Sequence, residues 1–483
     1  MTSTTPTTQA GTGAGPSGPV AALSKAAFWA ILALVLLADA LDMIDSTVTN
    51  IAAPTIVADI GGGEALVKWL GSSYALAMGV LLVIGGRLGD KYGQRRLFLI
   101  GMTGFTLASA LAGLSPAPAP LIVARVLQGA FGAVLIPQGM AIMARNFSRE
   151  QMSKAFGLFG PLLGLSSVGG PVLAGFLIDA DIASLSWRPI FLINLILGTV
   201  GVLAAARLLP RDAGDRSVTV DGIGSGLLAV TMFGLMLGLI EGSTEGWNAL
   251  AIGSLAVGLV FLLLFFRRQR TAAEPLITPS LLKNKGFTSA LVLGLFFFAV
   301  TSGLIYVISL FMQQGMGVAP ADAALGLLPL TLGIIVSAFA TMGGLTKRLG
   351  RHVVALGLLL TLAGGAALLA LVVAQGTALS LWTMAPTVFV IGLGMGCCFG
   401  TVFDFALGDV SAEEAGSASG SLTAIQQLAN GLGSAIVTTV YFHAGAPAHA
   451  MTVSLVVVLA VTAACLPVVR LLPRRAAEDP HGH

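Results

Sequence analysis

Charged side chains are scarce in this sequence. Only 10% of its 483 residues are Asp, Glu, Lys or Arg, whereas 56% are hydrophobic. Soluble domains average about 25% charged residues, so the composition excludes a soluble globular protein. Long apolar runs recur along the whole chain, which indicates an all-α polytopic membrane protein. The 62 glycines fit this class, because small residues let helices pack closely in lipid.

Cysteine and histidine are also rare, and common signatures of chemistry are missing. The three cysteines (Cys397, Cys398 and Cys465) lie in apolar runs without ligand or redox spacing, which argues against a disulfide framework or a metal site. The five histidines form no metal-binding pattern, and no Walker loop is present. The sequence therefore predicts neither an enzyme nor an ATP-driven pump, and it predicts no cofactor, metal or nucleic-acid partner.

Fourteen apolar segments are long enough to cross a bilayer. They lie at about 26–48, 68–88, 97–114, 119–144, 155–178, 188–208, 221–241, 249–267, 287–312, 322–345, 352–374, 381–405, 416–442 and 451–472. The positive-inside rule orients them, because 22 of the 25 Lys and Arg residues fall on one side of the predicted membrane. We therefore expect a multi-pass protein of the cytoplasmic membrane with both termini in the cytoplasm.

A glycine-rich charged turn joins the second and third segments. Residues 85–96 contain one acid, Asp90, and four bases. Asp90 can cap a neighbouring helix N-terminus or pair with Arg95 or Arg96, and we expect the remaining bases to stay in water. The turn resembles the G-x-L-x-D-x-x-G-[RK]-[RK] loop of major facilitator superfamily transporters, with Gln94 where a base is usual. The resemblance implies a conformational gate made by Gly86, Asp90, Gly93, Arg95 and Arg96.

An internal repeat predicts two lobes. Residues 343–350 repeat 86–93 at an offset of 257, with Lys347 in place of Asp90. Duplicated halves are typical of alternating-access transporters. The arrangement resembles the fourteen-span drug:proton antiporter branch of the superfamily, with two six-helix lobes plus two inserted helices. The predicted divisions are a disordered cytoplasmic tail 1–25, a first lobe 26–208, an inserted pair with linkers 209–286, a second lobe 287–472 and a cytoplasmic tail 473–483.

The first span contains Asp39, Asp42 and Asp45. A carboxylate at a helix centre costs about 2.5–3.5 kcal/mol on insertion scales, so such residues usually face a wet interior and are functional. A carboxyl that titrates near working pH is what proton coupling needs. The run 44–54 is similar to the L-D-x-T-[IV]-[VIT]-N-[VI]-A-[LA]-P signature of the fourteen-span branch, which implies that Asp45 handles protons or cations. Local capping by one of the three acids is the alternative.

Spans 4 and 5 carry two further motifs. Arg125 and Gln128 resemble the superfamily's R-x-x-Q-G element, in which the buried arginine is implicated in proton transfer. An arginine that reaches the outer surface is the alternative. Gly170, Pro171 and Gly175 resemble the G-P-x-x-G-G antiporter motif, with Ala174 replacing one glycine. This motif implies a helix bend and an exporter. Farther along, 186–194 resembles the W-R-x-[IV]-F-x-[IV]-N segment of the branch.

Polar residues in the second lobe are candidate substrate contacts. Gln426, Gln427 and Asn430 share a helix face, where substrate binding and interhelical packing are equally supported. Asp404 lies near the inner end of its span, where we prefer a solvated acid or a gate pair with Lys347 or Arg348 over a substrate ligand. The full candidate set is Tyr306, Gln313, Gln314, Asp404, Gln426, Gln427 and Asn430.

The resemblance and the residues together predict a proton-coupled antiporter. It would export small amphipathic drugs or antibiotics, cationic compounds among them, by alternating access. The proton gradient would drive it, and its partners would be protons, a small-molecule substrate and the lipid bilayer. We expect a monomer. Alternatives are a proton-coupled exporter dedicated to one metabolite, a proton-coupled importer, and a receptor or scaffold that keeps a transporter fold.

Overall fold

The computed structural model describes residues 24–216, 218, 221–272, 275–408, 410–411 and 414–473. The tails predicted at 1–25 and 473–483 therefore lie almost entirely outside the described residues. Within the described part the chain forms 17 α-helices. They are α1 (Lys25–Ile60), α2 (Gly63–Tyr92), α3 (Gln94–Gly113), α4 (Pro118–Asn146), α5 (Arg149–Asp179), α6 (Pro189–Leu208), α7 (Gly222–Thr244), α8 (Ala249–Thr271), α9 (Pro279–Lys283), α10 (Lys285–Leu310), α11 (Pro320–Gly326), α12 (Leu328–Ala340), α13 (Thr346–Leu349), α14 (His352–Gln375), α15 (Leu381–Leu407), α16 (Ala415–His443) and α17 (Pro447–Val468).

The helices account for the fourteen predicted spans. In the described part, eleven helices are long and apolar enough to cross a membrane. The other three predicted spans correspond to α5, to α11 with α12, and to α16. With 31 and 29 residues, α5 and α16 are each about 45 Å long at 1.5 Å per residue, which exceeds a bilayer core. α1 has 36 residues and continues beyond its apolar span to Ile60.

Several helix starts follow from local capping chemistry. Ser148 and Gln151 form a capping box before α5, because each side chain accepts a hydrogen bond from the other residue's backbone amide. Asn248 and Asn284 cap α8 and α10 through side-chain oxygens, at 2.9 and 3.0 Å from amide nitrogens of the first turn. These residues fix where the chain leaves a loop and enters a span.

The spans pack as two six-helix lobes with an added pair. In the first lobe α4 packs against α2 and α3, while α6 packs against α3 and α1, and α5 against α1. In the second lobe α15 packs against α12 and α14, α16 against α10, and α17 against α14. The added helices α7 and α8 pack on each other, and α7 also contacts α2 and α16. The inserted pair therefore touches both lobes.

The two copies of the repeat share a backbone feature. Gly93 follows α2 and Gly350 follows α13, and their φ angles are 95° and 54°. Both values lie in the left-handed region that favours glycine. The offset of 257 therefore relates two helix ends that each stop at a glycine with a positive φ angle.

Several helix ends that carry basic residues are joined by hydrogen bonds on one side of the bundle. Arg87 donates to the carbonyl of Pro275 (3.4 Å), and Arg351 donates to the carbonyl of Arg470 (3.0 Å). These contacts join the ends of helices that are distant in sequence. We call this side the basic end, and the other side the opposite end.

Candidate functional site

The three acids of α1 lie in different surroundings. Asp39 and Asp45 are buried, at 7% and 2% exposed, whereas Asp42 is partly exposed. The described partners of Asp42 and Asp45 belong to α2, α4 and α6, so these two side chains point into the first lobe and away from lipid. The structure therefore brings predicted residues of spans 1 and 4 together.

Asp45 is held by three donors. One of its oxygens pairs with the guanidinium of Arg125, and both side chains are almost fully buried. Its other oxygen accepts from the side-chain amides of Gln128 (3.0 Å) and Asn194 (2.9 Å). A buried ion pair needs such additional hydrogen bonds to offset desolvation. The arrangement satisfies Asp45 as an anion.

A serine completes this network. Ser109 of α3 accepts a hydrogen bond from Gln128 at 2.8 Å, and Gln128 in turn accepts from Arg125 at 3.0 Å. Side chains from α1, α3, α4 and α6 therefore meet at one buried point. Removing one partner of such a pair typically costs about 3–5 kcal/mol, because the other charge stays buried.

Arg125 does not reach the outer surface. Its side chain is fully buried, and its Nε donates to the carbonyl of Leu70 at 2.9 Å. Its guanidinium lies over the ring of Tyr74, 4.5 Å from the ring centre. Stacking on an aromatic ring and a planar set of donors both favour arginine over lysine.

Tyr74 links Arg125 to a second acid. Its hydroxyl donates a hydrogen bond to Asp42, and its side chain is 3% exposed. On α4, the Cα of Gly132 lies beside both groups: a side chain added there would come within 3.4 Å of each. Asp39 lies one turn nearer the start of α1 and has no hydrogen-bond partner among the residues that the structure describes.

Two of the predicted gate residues, Gly86 and Asp90, lie where the two lobes meet. The carboxylate of Asp90 accepts from the backbone amide of Ser417 at 3.2 Å, in the first turn of α16. Of the two alternatives for Asp90, the structure thus shows the helix cap. Gly86 lies against the backbone carbonyl of Gly416, so a Cβ at Gly86 would overlap that oxygen. Nearby, Ser419 donates to the carbonyl of Pro137 on α4 (3.1 Å).

The rest of the charged turn contacts the linker before α7. Asp212 accepts from the backbone amides of Gln94 (2.5 Å) and Arg95 (3.0 Å), so it caps α3. Arg95 also donates to the carbonyl of Ala206, while Arg96 is exposed. The expectation that the other bases stay in water was wrong for Arg87. That side chain is 5% exposed, because the linker before α9 covers it and accepts its hydrogen bond.

The span-5 motif lies within one continuous helix. Gly170 is buried in α5, which packs against α1 in its own lobe and against α12 and α15 in the other. The surroundings of Pro171 and Gly175 lie outside what the structure describes. The bend at Pro171 stays a prediction.

The second-lobe candidates do not form one cluster. Tyr306 is 41% exposed on α10, and Gln313 and Gln314 are exposed in a π-helical turn, 311–315, at its end. On α16, Gln426, Gln427 and Asn430 are partly buried, and Gln427 donates to the sulfur of Met78 on α2 (3.5 Å). Asp404 is partly buried one turn before the end of α15, and the side chain of Lys347 lies outside the described residues.

Three residues of the polar network were not among the predicted site residues. They are Tyr74, Ser109 and Asn194. Each is a polar side chain within an apolar run, and Asn194 ends the W-R-x-[IV]-F-x-[IV]-N segment. The sequence shows these polar residues, but it does not show which helices are neighbours. Their convergence on α1 could therefore not be predicted.

A two-lobed bundle of membrane-spanning helices with a buried ion pair in one lobe defines a polytopic membrane transporter. The family model described as Major Facilitator Superfamily matches residues 35–224 and 222–434. The chain therefore belongs to the major facilitator superfamily. The predictions of family, fold class and absence of enzyme activity are confirmed.

Relatives place the chain in the drug-resistance and efflux branch. It is 39% identical to the "Probable actinorhodin transporter" of Streptomyces coelicolor over 89% of this chain and 75% of that protein. It is 32% identical to the "Puromycin resistance protein pur8" of Streptomyces alboniger, over 85% and 81%. It is 31% identical to the "Tetracenomycin C resistance and export protein" of Streptomyces glaucescens, over 85% and 75%.

Solved structures share the fold. The human organic anion transporter MFSD10 (TETRAN) superposes with a TM-score of 0.65 at 16% identity, covering 92% of this chain and 99% of that one. At this identity the likeness shows the fold alone. It supports the assignment of an all-helical major facilitator fold.

Proposed function

We propose that this protein is a proton-coupled antiporter that exports small amphipathic drugs or antibiotics. The proposal depends above all on one observation, the acids of α1 that lie inside the first lobe beside Arg125. Burying carboxylates in a membrane protein is costly, and proton binding and release would explain why they are there. The names of the relatives, which specify actinorhodin, puromycin and tetracenomycin C, support antibiotic export.

The proposed mechanism is alternating access between the two lobes. The basic end would face the cytoplasm, in keeping with the positive-inside rule, and both termini would lie there. The contacts of α16 with Asp90 and Pro137 close the lobes against each other at that end. The structure would then correspond to the outward-facing state, in which a proton enters from outside and the substrate leaves.

Membrane orientation can be tested with single cysteines. Thr244→Cys would place an exposed thiol at the opposite end, and Ser411→Cys would place one at the basic end. A membrane-impermeant maleimide should label Thr244→Cys in intact cells, and Ser411→Cys only after the cells are broken. Labelling of Ser411→Cys in intact cells would reverse the proposed orientation.

Ethidium efflux from cells that express the full chain tests the function. Wild-type cells should expel ethidium, and a protonophore should stop this efflux. Asp45→Asn should abolish it by breaking the buried pair, whereas Asp322→Asn, an exposed acid of α11, serves as the matched control and should keep it. Efflux that persists after the gradient collapses would contradict proton coupling.

Export dedicated to one compound is the second candidate function. It is favoured by relatives whose names each specify a single antibiotic. Cells that express the chain can be challenged with actinorhodin, puromycin, tetracenomycin C and ethidium in parallel. Protection against one compound alone would favour the dedicated exporter, and protection against several would favour the broader one.

A further inference from the structure

The three acids of α1 differ in how they could accept a proton. Asp45 is 2% exposed and has three donors, one of them charged. Asp39 is 7% exposed and has no described hydrogen-bond partner. Asp42 alone combines a partly exposed side chain with a described hydrogen bond, which comes from Tyr74. The three carboxyls are therefore not equivalent as carriers of a proton.

Asp45 is poorly suited to exchange a proton. Arg125 has donors only and cannot give up its own proton in practice, so a protonated Asp45 would leave a cation unpaired in the interior. Gln128 and Asn194 also present N–H groups to the carboxylate. Each of these contacts is lost or weakened when the acid becomes neutral.

The Asp42–Tyr74 contact tolerates both protonation states. A phenol can donate to a carboxylate, and it can also accept from a carboxylic acid by rotating its hydrogen. The hydrogen bond therefore survives when a proton is added to Asp42. Asp42 keeps a hydrogen-bonding partner in either state.

Tyr74 also contacts the Arg125–Asp45 pair. Its ring lies under the guanidinium of Arg125, and Leu70, one turn earlier on α2, accepts from Arg125 Nε at 2.9 Å. A change at the Tyr74 hydroxyl is therefore adjacent to the Arg125–Asp45 pair. This gives proton binding at Asp42 a direct physical route to the helices α2 and α4.

The charged and titratable groups around Asp42 come from several helices. Asp39 and Asp45 share its own helix, Tyr74 faces it from α2, and Arg125 from α4. The residue contributed by α6, Asn194, does not titrate. The charged residues of α5 lie at its two ends.

We propose that Asp42 is the carboxyl that carries the exchanged proton, with Tyr74 as its positioning residue. A proton from water on one side adds to one oxygen of Asp42, and the same proton later leaves to water on the other side. Tyr74 keeps its own proton, and Asp45 stays an anion paired with Arg125. The inference rests on the proposed proton-coupled function, and it departs from the resemblance, which assigns proton handling to Asp45.

Infrared difference spectroscopy of the full chain in phospholipid vesicles tests the assignment without a substrate. The wild type should show a carboxyl C=O band that appears on acidification and disappears on alkalinisation. Asp42→Asn should abolish this band, while Asp39→Asn, a matched change one turn away, should keep it. A band that survives in Asp42→Asn, or a wild type without a titrating band, would overturn the proposal.

Tyr74→Phe separates positioning from packing. This variant keeps the ring under Arg125 and removes only the hydroxyl that contacts Asp42. The carboxyl band should remain and change frequency, because the carboxyl loses its hydrogen bond. An unchanged frequency would show that Tyr74 does not position Asp42. Because the ring stays, the variant is not expected to disturb the Arg125–Asp45 pair.

A transport assay distinguishes a failure of this inference from a failure of the proposed function. In proteoliposomes, Asp42→Asn should reduce ethidium transport driven by a pH gradient by about tenfold or more, while Asp322→Asn, an exposed acid of α11, should keep it. If a pH gradient does not drive ethidium transport by the wild type, the proposed function is wrong. The infrared spectra then decide separately whether Asp42 is the carboxyl that titrates. If Asp42→Asn remains gradient-driven, the assignment of Asp42 is wrong.

Discussion

The carboxylate of Asp90, at the end of α2, accepts a hydrogen bond from the backbone amide of Ser417, in the first turn of α16. The two residues are 327 positions apart in sequence and belong to different lobes. An acid beside a helix N-terminus is stabilised by the free amides and by the helix dipole. The contact therefore favours the arrangement in which the lobes meet at the basic end.

Replacing Asp90 with alanine should loosen this contact. Loss of a helix cap costs about 1 kcal/mol, which is about fivefold in the population of the closed arrangement. Ser419→Cys, at a buried position beside the contact, reports opening through its rate of alkylation, after buried Cys397, Cys398 and Cys465 are replaced by serine. The alkylation rate should rise about fivefold.

Asp90→Asn is the matched variant for this experiment. Its amide oxygen can still accept from Ser417, so the alkylation rate should rise less than in Asp90→Ala. Equal rates in Asp90→Ala and the parent protein would show that the cap does not hold the lobes together.

The repeat offers a second, internally controlled prediction. Gly86 and Gly343 are equivalent positions, but a Cβ at Gly86 would overlap the backbone carbonyl of Gly416, whereas a Cβ at Gly343 would meet no heavy atom within 4 Å. Backbone atoms cannot move aside as a flexible side chain can. Gly86→Ala should therefore raise alkylation of Ser419→Cys and reduce transport, while Gly343→Ala should behave like the parent. Wild-type behaviour of Gly86→Ala would contradict the close contact.

The sequence was informative wherever a property depends on local pattern. The length of apolar runs predicts the spans, and the spacing of Gly86, Asp90 and Gly93 predicts the turn between α2 and α3. The sequence could also narrow the role of Asp90 to two contacts, of which the structure shows the cap on α16. Such features depend on hydropathy and on short-range turn chemistry.

Features that depend on which helices are neighbours could not be predicted. Asp212 and Gln94 are 118 positions apart, and nothing in the local pattern of the linker indicates that it caps α3. The burial of Arg87 has the same origin, since another linker covers it. Asp42 and Asp45 also bind different side chains, and which side chains they bind depends on where α2, α4 and α6 pack.

The linker contact leads to a stability prediction. Asp212 binds two backbone amides at the start of α3, and Arg145 lies 3.7 Å away. Asp212→Asn should lower the free energy of unfolding by about 1 kcal/mol, because it weakens a helix cap and removes a charge beside a helix N-terminus. Thermal unfolding of the purified protein measures the change.

Glu150→Gln provides the control for Asp212→Asn. Glu150 pairs with Lys154 at 2.9 Å on an exposed helix face, where such pairs contribute about 0.3–0.5 kcal/mol. Both variants remove one negative charge near the basic end. If the two variants unfold at the same temperature, the cap formed by Asp212 contributes nothing beyond an ordinary surface charge.

The C-terminal end of α1 predicts a pH dependence. Hydrogen bonds from Arg188 (2.6 Å) and Trp187 (2.9 Å) hold the pKa of Asp59 below its usual value. A carboxyl whose pKa is lowered on folding stabilises the folded state above its unfolded pKa, about 3.9, and this contribution is lost as the pH falls through the folded pKa.

Asp59→Asn should therefore lower the unfolding temperature at neutral pH, and the difference from wild type should disappear under strongly acidic conditions. The effect should be small, because the side chain of Asp59 is 40% exposed and water screens the pair. In an Arg188→Gln background the same substitution should change the unfolding temperature less, since the stronger donor is already absent. If the difference in unfolding temperature between wild type and Asp59→Asn instead grows as the pH falls, it does not come from this ion pair. A carboxyl with a lowered pKa predicts the opposite pH dependence.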